Sequence, residues 1–334
     1  MRTGLTLPFE HLRLTDLPAH LQRAEALGYE EAWSYERNVF DAFSPLAAAA
    51  MVTRTLRLGT SIVPAFTRPD GLLAMSAAGV AELAPGRFVL GIGSSTEAIV
   101  NGWMGLEFGR PLSRVREAVL TTRALLNGER VGKLRLDRPP SQPPPIYVAA
   151  LGERMLRLAG ETADGVVFFM AGARAIPGLV ASTGRALDSV ARVIVVAGRD
   201  HAANLAFARR FITGYAVLPF YSRFLAAQGW GDAVERVRTR WDAGDRQGAS
   251  LEVPEEMAQE LLLLATDPRL EERLGAFEDS GLGVLDLWFM SSADDADVRR
   301  MDTERALVTF APVPGGGDPP RPPARQPARV AGGE

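Results

Sequence analysis

Short apolar runs alternate with stretches of helical periodicity along most of this chain. The clearest unit spans residues 56–95. Leu56-Arg-Leu-Gly-Thr-Ser-Ile-Val-Pro64 and Gly86-Arg-Phe-Val-Leu-Gly-Ile-Gly-Ser-Ser95 each read as a buried parallel strand. Both stop in small and hydroxyl residues, where a backbone can approach a ligand closely. Between them residues 70–83 have helix length, with Leu72, Leu73, Val80 and Leu83 placed on one helical face. The unit is therefore a βαβ crossover with room for ligand chemistry at its strand ends.

The same alternation predicts strands at 4–8, 31–35, 146–150, 165–169, 192–197 and 284–289, which with the first two make eight. Helical patterns fall at 17–27, 44–53, 112–126, 153–161 and 176–190. Thr15 and Asp16 are N-cap candidates for the first helix, Pro18 suits its first turn, and Gly28 suits the position after its end. Eight evenly repeated strands favour a closed (β/α)8 TIM barrel over an open doubly wound sheet. The rhythm breaks over 201–279, which reads as a helical insertion between strands 7 and 8, an active-site cover or a subunit contact. The expected organisation is a single barrel domain over 1–311. The proline run at 138–145 is a stiff connector, since proline fixes φ and donates no ladder hydrogen bond. The Pro/Gly-rich tail, 312–334, has too few large apolar residues to offset ordering entropy and is expected to be disordered.

Composition narrows the chemistry. With 47% hydrophobic and 23% charged residues the chain has ample core for a globular fold. The net charge of -3, with signs interspersed, leaves no footprint for a nucleic acid. The absence of cysteine removes disulfides, thiolate nucleophiles and thiolate-bound zinc. His11, His20 and His201 have no metal-pair spacing, so no metal site is expected. No apolar run reaches the length of a membrane span, and the opening residues do not read as a signal peptide, so a cytoplasmic location is expected.

Four segments carry candidate chemistry. Ser34-Tyr-Glu-Arg-Asn38 follows the second strand and gathers hydroxyl, phenol, carboxylate, guanidinium and amide at the expected mouth of the barrel. The same stretch would also serve as an ordinary surface ion pair. Gly91-Ile-Gly-Ser-Ser-Thr96 misses the dinucleotide fingerprint by its third glycine, and reads either as a close approach for a planar ligand or as a tight turn. Ala149-Ala-Leu-Gly-Glu-Arg154 opens a helix whose N-terminal amides form an anion site or a plain βα turn. Thr60-Ser-Ile-Val-Pro64 carries no catalytic side chain beyond hydroxyls.

Taken together, these segments resemble the luciferase-like monooxygenase superfamily, and within it the coenzyme F420-dependent oxidoreductases related to methylenetetrahydromethanopterin reductase. The matching text is Leu27-Gly-Tyr-Glu-Glu-Ala-Trp33, residues 56–64, Ala74-Met-Ser-Ala-Ala78, residues 86–95, Ile99-Val-Asn-Gly-Trp103, Pro145-Ile-Tyr-Val-Ala-Ala-Leu-Gly152 and Ala163-Asp-Gly165. The resemblance implies a barrel with the deazaflavin at the C-terminal strand ends and a non-prolyl cis peptide at Ser61–Ile62 propping its ring. It implies that Ser34, Ser61, Ile62, Val63, Ser94 and Ser95 line the cofactor, while Ala150, Leu151, Gly152 and Glu153 present amides to its phosphate. Hydride transfer with a small-molecule substrate, and a homodimer, follow from the same likeness. Many relatives carry a histidine after the second strand, and here there is none; Glu36 is the substitute proton shuttle, with Arg37 or Tyr35 orienting substrate. The segment after Asn127 is also short, in effect lacking a small strand pair. The alternatives are FMN with dioxygen on the same fold, a barrel that binds a flavin without catalysis, and a metal-dependent barrel hydrolase.

Overall fold

A computed structural model describes residues 1–7, 9 and 12–312 of the chain. The expected disorder of the tail falls, from residue 313 onward, outside the described residues, as does His11. Eight parallel strands form a closed ring: β1 (Arg2–Leu7), β2 (Glu31–Ser34), β3 (Arg57–Thr60), β4 (Phe88–Gly93), β5 (Ile146–Ala149), β6 (Gly165–Phe169), β7 (Asp188–Val196) and β8 (Val284–Met290). Closure is explicit, because β8 pairs in parallel with both β7 and β1.

Helices α1 (Leu17–Ala26), α2 (Phe43–Val52), α3 (Asp70–Leu83), α4 (Pro111–Leu126), α5 (Glu153–Thr162) and α6 (Ile176–Ala181) follow strands one to six. In α3 the buried stripe is Leu73, Ala74, Ala77, Ala78, Val80 and Ala81, whereas the predicted Leu72 and Leu83 are exposed. Alanine stands where the helix meets its neighbours, so the inner face is defined by small side chains rather than by leucine. Gly28, at φ +91°, follows the C-cap of α1 as expected. Asp16 occupies the N-cap position of that helix, yet its carboxylate accepts from Arg13 rather than from the helix amides.

Two boundaries differ from the sequence pattern. Residues 176–190 are not one helix: α6 ends at Ala181, Gly184 adopts φ +79°, and β7 already begins at Asp188. The insertion is not wholly helical either. After α7 (His201–Ala216), α8 (Pro219–Leu225), α9 (Gly231–Asp242), α10 (Arg246–Leu251) and α11 (Glu255–Leu261), Leu263–Leu264 pair in parallel with Val195 and Val196, before α12 (Leu270–Asp279) leads to β8. A last helix, α13 (Ala296–Thr309), closes the outer layer. After α4, where a strand pair is expected to be missing, Val131 and Leu134 form only an isolated antiparallel bridge with two backbone hydrogen bonds.

The lumen is filled in tiers. At mid-height Trp33, Val89, Tyr147, Val167, Val190 and Val284 form a closed apolar cluster. Gly59 makes it possible: a Cβ there would lie 2.2 Å from the Trp33 ring. Below, at the N-terminal end, Arg2 and Arg57 approach Glu31 Oε1 at 3.0 and 3.1 Å. Arg2 also reaches Asp188 at 2.5 Å, and Arg57 donates to the Tyr147 hydroxyl, which donates to Asp188. Burial pushes the Glu31 carboxyl up, with the two arginines opposing. Asp188, also pushed up by burial, ends below its ordinary value because Arg2 and the Tyr147 hydroxyl favour its charge.

Candidate functional site

The other end of the ring, where the strands stop, has two unlike walls. One is built from the ends of β3, β4 and β5 and is made of small residues. After Thr60 the chain bulges, the Ser61–Ile62 peptide bond is cis as the resemblance implied, and Val63–Pro64 rejoin the sheet beside Ile92 and Gly93. The Thr60 hydroxyl fixes the bulge by accepting from the Gly91 amide at 2.7 Å and donating to its carbonyl at 2.9 Å. The bulge turns Ile62 over the glycines of β4. A Cβ on Gly93 would lie 2.9 Å from Ile62 Cγ1 and 3.0 Å from Ala149 Cβ, so only glycine leaves this surface flat.

Ser94 and Ser95 follow directly, half-buried, with Ser95 in the left-handed region at φ +60°. Next around the rim, Gly152 caps α5 in extended conformation without a side-chain cap. The amides of Glu153 and Arg154, first in α5, have no intrahelical acceptor and form the positive end of the helix dipole. Leu151 is half-buried beside them. The Ala150 amide is already committed, donating to the Val167 carbonyl at 3.1 Å, so the open amides of this corner begin after it. Phe220 of α8 leans over the corner, 3.5 Å from where a Gly152 Cβ would sit. The Glu153 side chain turns outward to Arg157 at 2.7 Å.

The sequence-predicted residues do not all reach this space. Ser34 and Val63 are fully buried, and Ser61 nearly so. The Ser34 and Ser61 hydroxyls have no hydrogen-bond partner among the described residues, while the Ser61 amide donates to the Ser34 carbonyl at 2.6 Å. The Glu36 side chain is buried, with both carboxylate oxygens taken: one accepts from Thr67 at 2.7 Å, the other from Arg68. Its amide donates to the Ile62 carbonyl at 3.2 Å. Glu36 thus joins the β2 loop to the β3 bulge. Arg68 is held in turn over the Phe43 ring at 5.1 Å. Arg37 is exposed at the rim.

The opposite wall is aromatic and charged, and sequence reading passed over most of it. Arg192 of β7 and Asp286 of β8 face each other across paired strands, with Arg192 Nε 3.1 Å from Asp286 Oδ2. The Thr6 hydroxyl of β1 donates to Asp286 Oδ1 at 2.9 Å. Both side chains lie on the lumen face, two positions above Val190 and Val284. Burial pushes the Asp286 carboxyl up to about 6, against the attraction of Arg192 and the Thr6 bond. Arg192 lies under two rings, 4.7 Å from the centroid of Tyr35 and 5.8 Å from that of Trp288. Phe169 and Phe211 pack tilted or edge-on against Trp288, Tyr215 packs against both of them, and Tyr221 stands against Tyr215. Burial raises the phenols of Tyr215 and Tyr221. The insertion therefore covers the mouth, and Gln228 pins it there by donating to the Met170 carbonyl and accepting from the Gly172 amide. Phe224 instead enters the main core.

The signal that could have found this wall is a charge inside an apolar strand. Arg192 interrupts Ser189-Val-Ala-Arg-Val-Ile-Val195 and Asp286 interrupts Val284-Leu-Asp-Leu-Trp288, with opposite signs in neighbouring strands. Among the described residues no cluster of three metal-ligating side chains occurs, and no helix is long and apolar enough to cross a membrane.

Comparison with known proteins agrees with this architecture. The family model described as luciferase-like monooxygenase matches residues 1–283. A 5,10-methylenetetrahydromethanopterin reductase of Methanolobus tindarius is 32% identical over 154 residues, 43% of this chain and 47% of that one. The reductase of the same name from Archaeoglobus fulgidus is 28% identical over 298 residues, 81% of this chain and 88% of its own. Among solved structures, the coenzyme F420-dependent tetrahydromethanopterin reductase of Methanopyrus kandleri superposes with a TM-score of 0.70 at 22% identity, covering 93% of this chain and 97% of that one. The oxygenating constituent of 3,6-diketocamphane monooxygenase from Pseudomonas putida, in complex with FMN, gives 0.62 at 18% identity, covering 93% and 96%. With its closed eight-stranded barrel and a family match over most of its length, the chain belongs to the luciferase-like monooxygenase family.

Proposed function

We propose that this protein is an oxidoreductase that binds coenzyme F420 at the C-terminal mouth of its barrel and exchanges a hydride between it and a small organic substrate. The observation that carries the reading is the flat wall of Ile62, Gly93 and Ala149, continuous with Ser94, Ser95 and the uncapped start of α5. A planar ring needs a surface without protruding side chains, and a phosphate needs unpaired amides at a helix N-terminus. This wall offers both, so the residues present fit the cofactor. A reductase that resembles this chain along most of its length gives the same direction.

When bound, a deazaflavin supplies a two-electron carrier that passes hydride and leaves dioxygen alone. The chain's part is to bind and orient. Ile62 backs the ring face, and the Glu153 and Arg154 amides hold the phosphate. Glu36, with its two oxygens committed, keeps the bulge in place rather than moving a proton freely. Phe169 and Trp288, roofed by Tyr215 and the rest of the insertion, exclude water from the space beside the ring. Tyr35 and Arg37 stand at the rim on the substrate side. The protein acts on a small molecule, not a nucleic acid, and works in the cytoplasm as a homodimer.

The test is direct titration of the purified chain with coenzyme F420 and with FMN, each oxidised and reduced, following cofactor fluorescence and ultrafiltration. Saturable F420 binding, weakened by Gly93→Val, supports the assignment. Tight FMN retention with no affinity for F420 reverses it in favour of a dioxygen-using monooxygenase, and no affinity for either leaves a barrel without this chemistry.

A further inference from the structure

Arg192 is more than nine-tenths buried, yet its Nη2 has no hydrogen-bond partner among the described residues. A buried guanidinium N–H left unsatisfied is costly, and native proteins retain one where water or a ligand completes it. The surroundings say what kind of ligand. Nε is already committed to Asp286, and Asp286 is fully buried with one oxygen on Arg192 and the other on Thr6, so the group the pair leaves unpartnered is a donor. The remaining walls are rings: Tyr35 and Trp288 against the guanidinium, with Phe169 and Tyr215 beyond. Arg37 adds a second positive charge at the rim, close enough to act on the Tyr215 phenol. In a ring of eight strands β7 stands across the lumen from β3, so Arg192 faces the Ile62 wall.

We propose that Arg192 anchors the substrate of this site, donating to an sp2 oxygen, carbonyl or carboxylate, of a flat apolar molecule held against Tyr35 and Trp288. The inference rests on the preceding reading in that the cofactor takes the opposite wall. It names the substrate class: an aromatic or alicyclic body with one strong acceptor oxygen at its buried end. Amines are disfavoured, since the unpartnered group is itself a cation and Asp286 is fully buried. Arg192 is a specificity-determining residue, and Asp286 a positioning residue that fixes the guanidinium plane.

The experiment compares benzoate, acetophenone and benzylamine as probes by saturation-transfer NMR and calorimetry on the full chain. Wild type is set beside Arg192→Lys, whose shorter side chain and compact ammonium, drawn to Asp286, place no planar donor where Nη2 stands. Should that variant fail to fold, the double variant Arg192→Met with Asp286→Leu replaces the buried pair by apolar side chains, a change that cores tolerate. Benzoate or acetophenone should bind wild type and lose tenfold or more in the variant. Benzoate alone points to carboxylate substrates, and acetophenone alone to neutral carbonyls. Equal binding in a folded variant, benzylamine binding as well as benzoate, or no binding of either oxygen probe overturns the proposal. F420 titration of the same proteins separates the two readings. If wild type ignores F420 while probe binding still needs Arg192, the cofactor assignment fails and this one stands. If the variant loses F420 and keeps the probe, Arg192 serves the cofactor and this one falls.

Discussion

Replacing Asp286 by asparagine isolates the cost of holding a charge at the bottom of the mouth. The side chain is fully buried, and burial holds its carboxyl at about 6 in the folded chain, against an ordinary value of 3.8. The folded protein therefore binds this proton more tightly than the unfolded chain does. The stability it lends is complete below about pH 3.8 and is lost as pH rises through 6. A shift of about two units corresponds to roughly 3 kcal/mol in all, of which roughly 1.4 kcal/mol falls between about pH 5 and pH 8. Asparagine is nearly isosteric and does not titrate, so whatever constant offset the substitution brings drops out of the slope. Equilibrium urea unfolding of both proteins, followed by tryptophan fluorescence across that range, should show the variant gaining on wild type by about 1–2 kcal/mol as pH rises. Parallel stability curves, or a wild type that gains with pH, would refute the claim that burial outweighs the Arg192 attraction.

Other outcomes follow from the same geometry. Gly93→Val drives a side chain into Ile62 and Ala149; cofactor affinity should fall at least about tenfold while the midpoint of thermal unfolding moves by a few degrees at most, as read by titration and calorimetry. Arg68→Met leaves Glu36 buried without its cation and should cost about 3 kcal/mol in urea unfolding, more than Glu36→Gln, which keeps the Thr67 bond. Gln228→Ala removes two of the bonds between the insertion and the β6 loop, leaving the Arg174–Glu260 pair; amide exchange at Met170–Gly172 should accelerate, consistent with a loss of about 1–2 kcal/mol, with exchange in the barrel strands unchanged. Gly59→Ala places a carbon 2.2 Å from the Trp33 ring and should cost about 3 kcal/mol or more, seen as poor soluble yield.

The barrel was legible because each of its strands is an apolar run bounded by a helical pattern, and the mouth segments around Ser61, Ser94 and Gly152 carry family text. What escaped reading did so for physical reasons. The start of β7 was hidden because Asp188 and Arg192 look like surface residues until the lumen supplies partners from β1, β3, β5 and β8. Glu36 sits in a loop of mixed polarity, and only the fold reveals that Thr67 and Arg68, some thirty positions on, are its partners. Ser34 was grouped with its loop neighbours, whereas the chain buries it completely. The aromatic residues of the insertion divided three ways, with Tyr215 over the mouth, Phe220 at the Gly152 corner and Phe224 in the core, a sorting that helical spacing does not encode.

The charged floor beneath Trp33 has a consequence for the whole ring. In a closed barrel the diameter follows from strand number and stagger, so a slip of one strand past another changes the shape everywhere. Arg2, Glu31, Arg57, Tyr147 and Asp188 come from five different strands and meet at one height, so any such slip strands an ionised group in the lumen. The cluster works as a register lock. Stagger is fixed from below, and the loops overhead are free to vary in sequence without altering the frame that carries them.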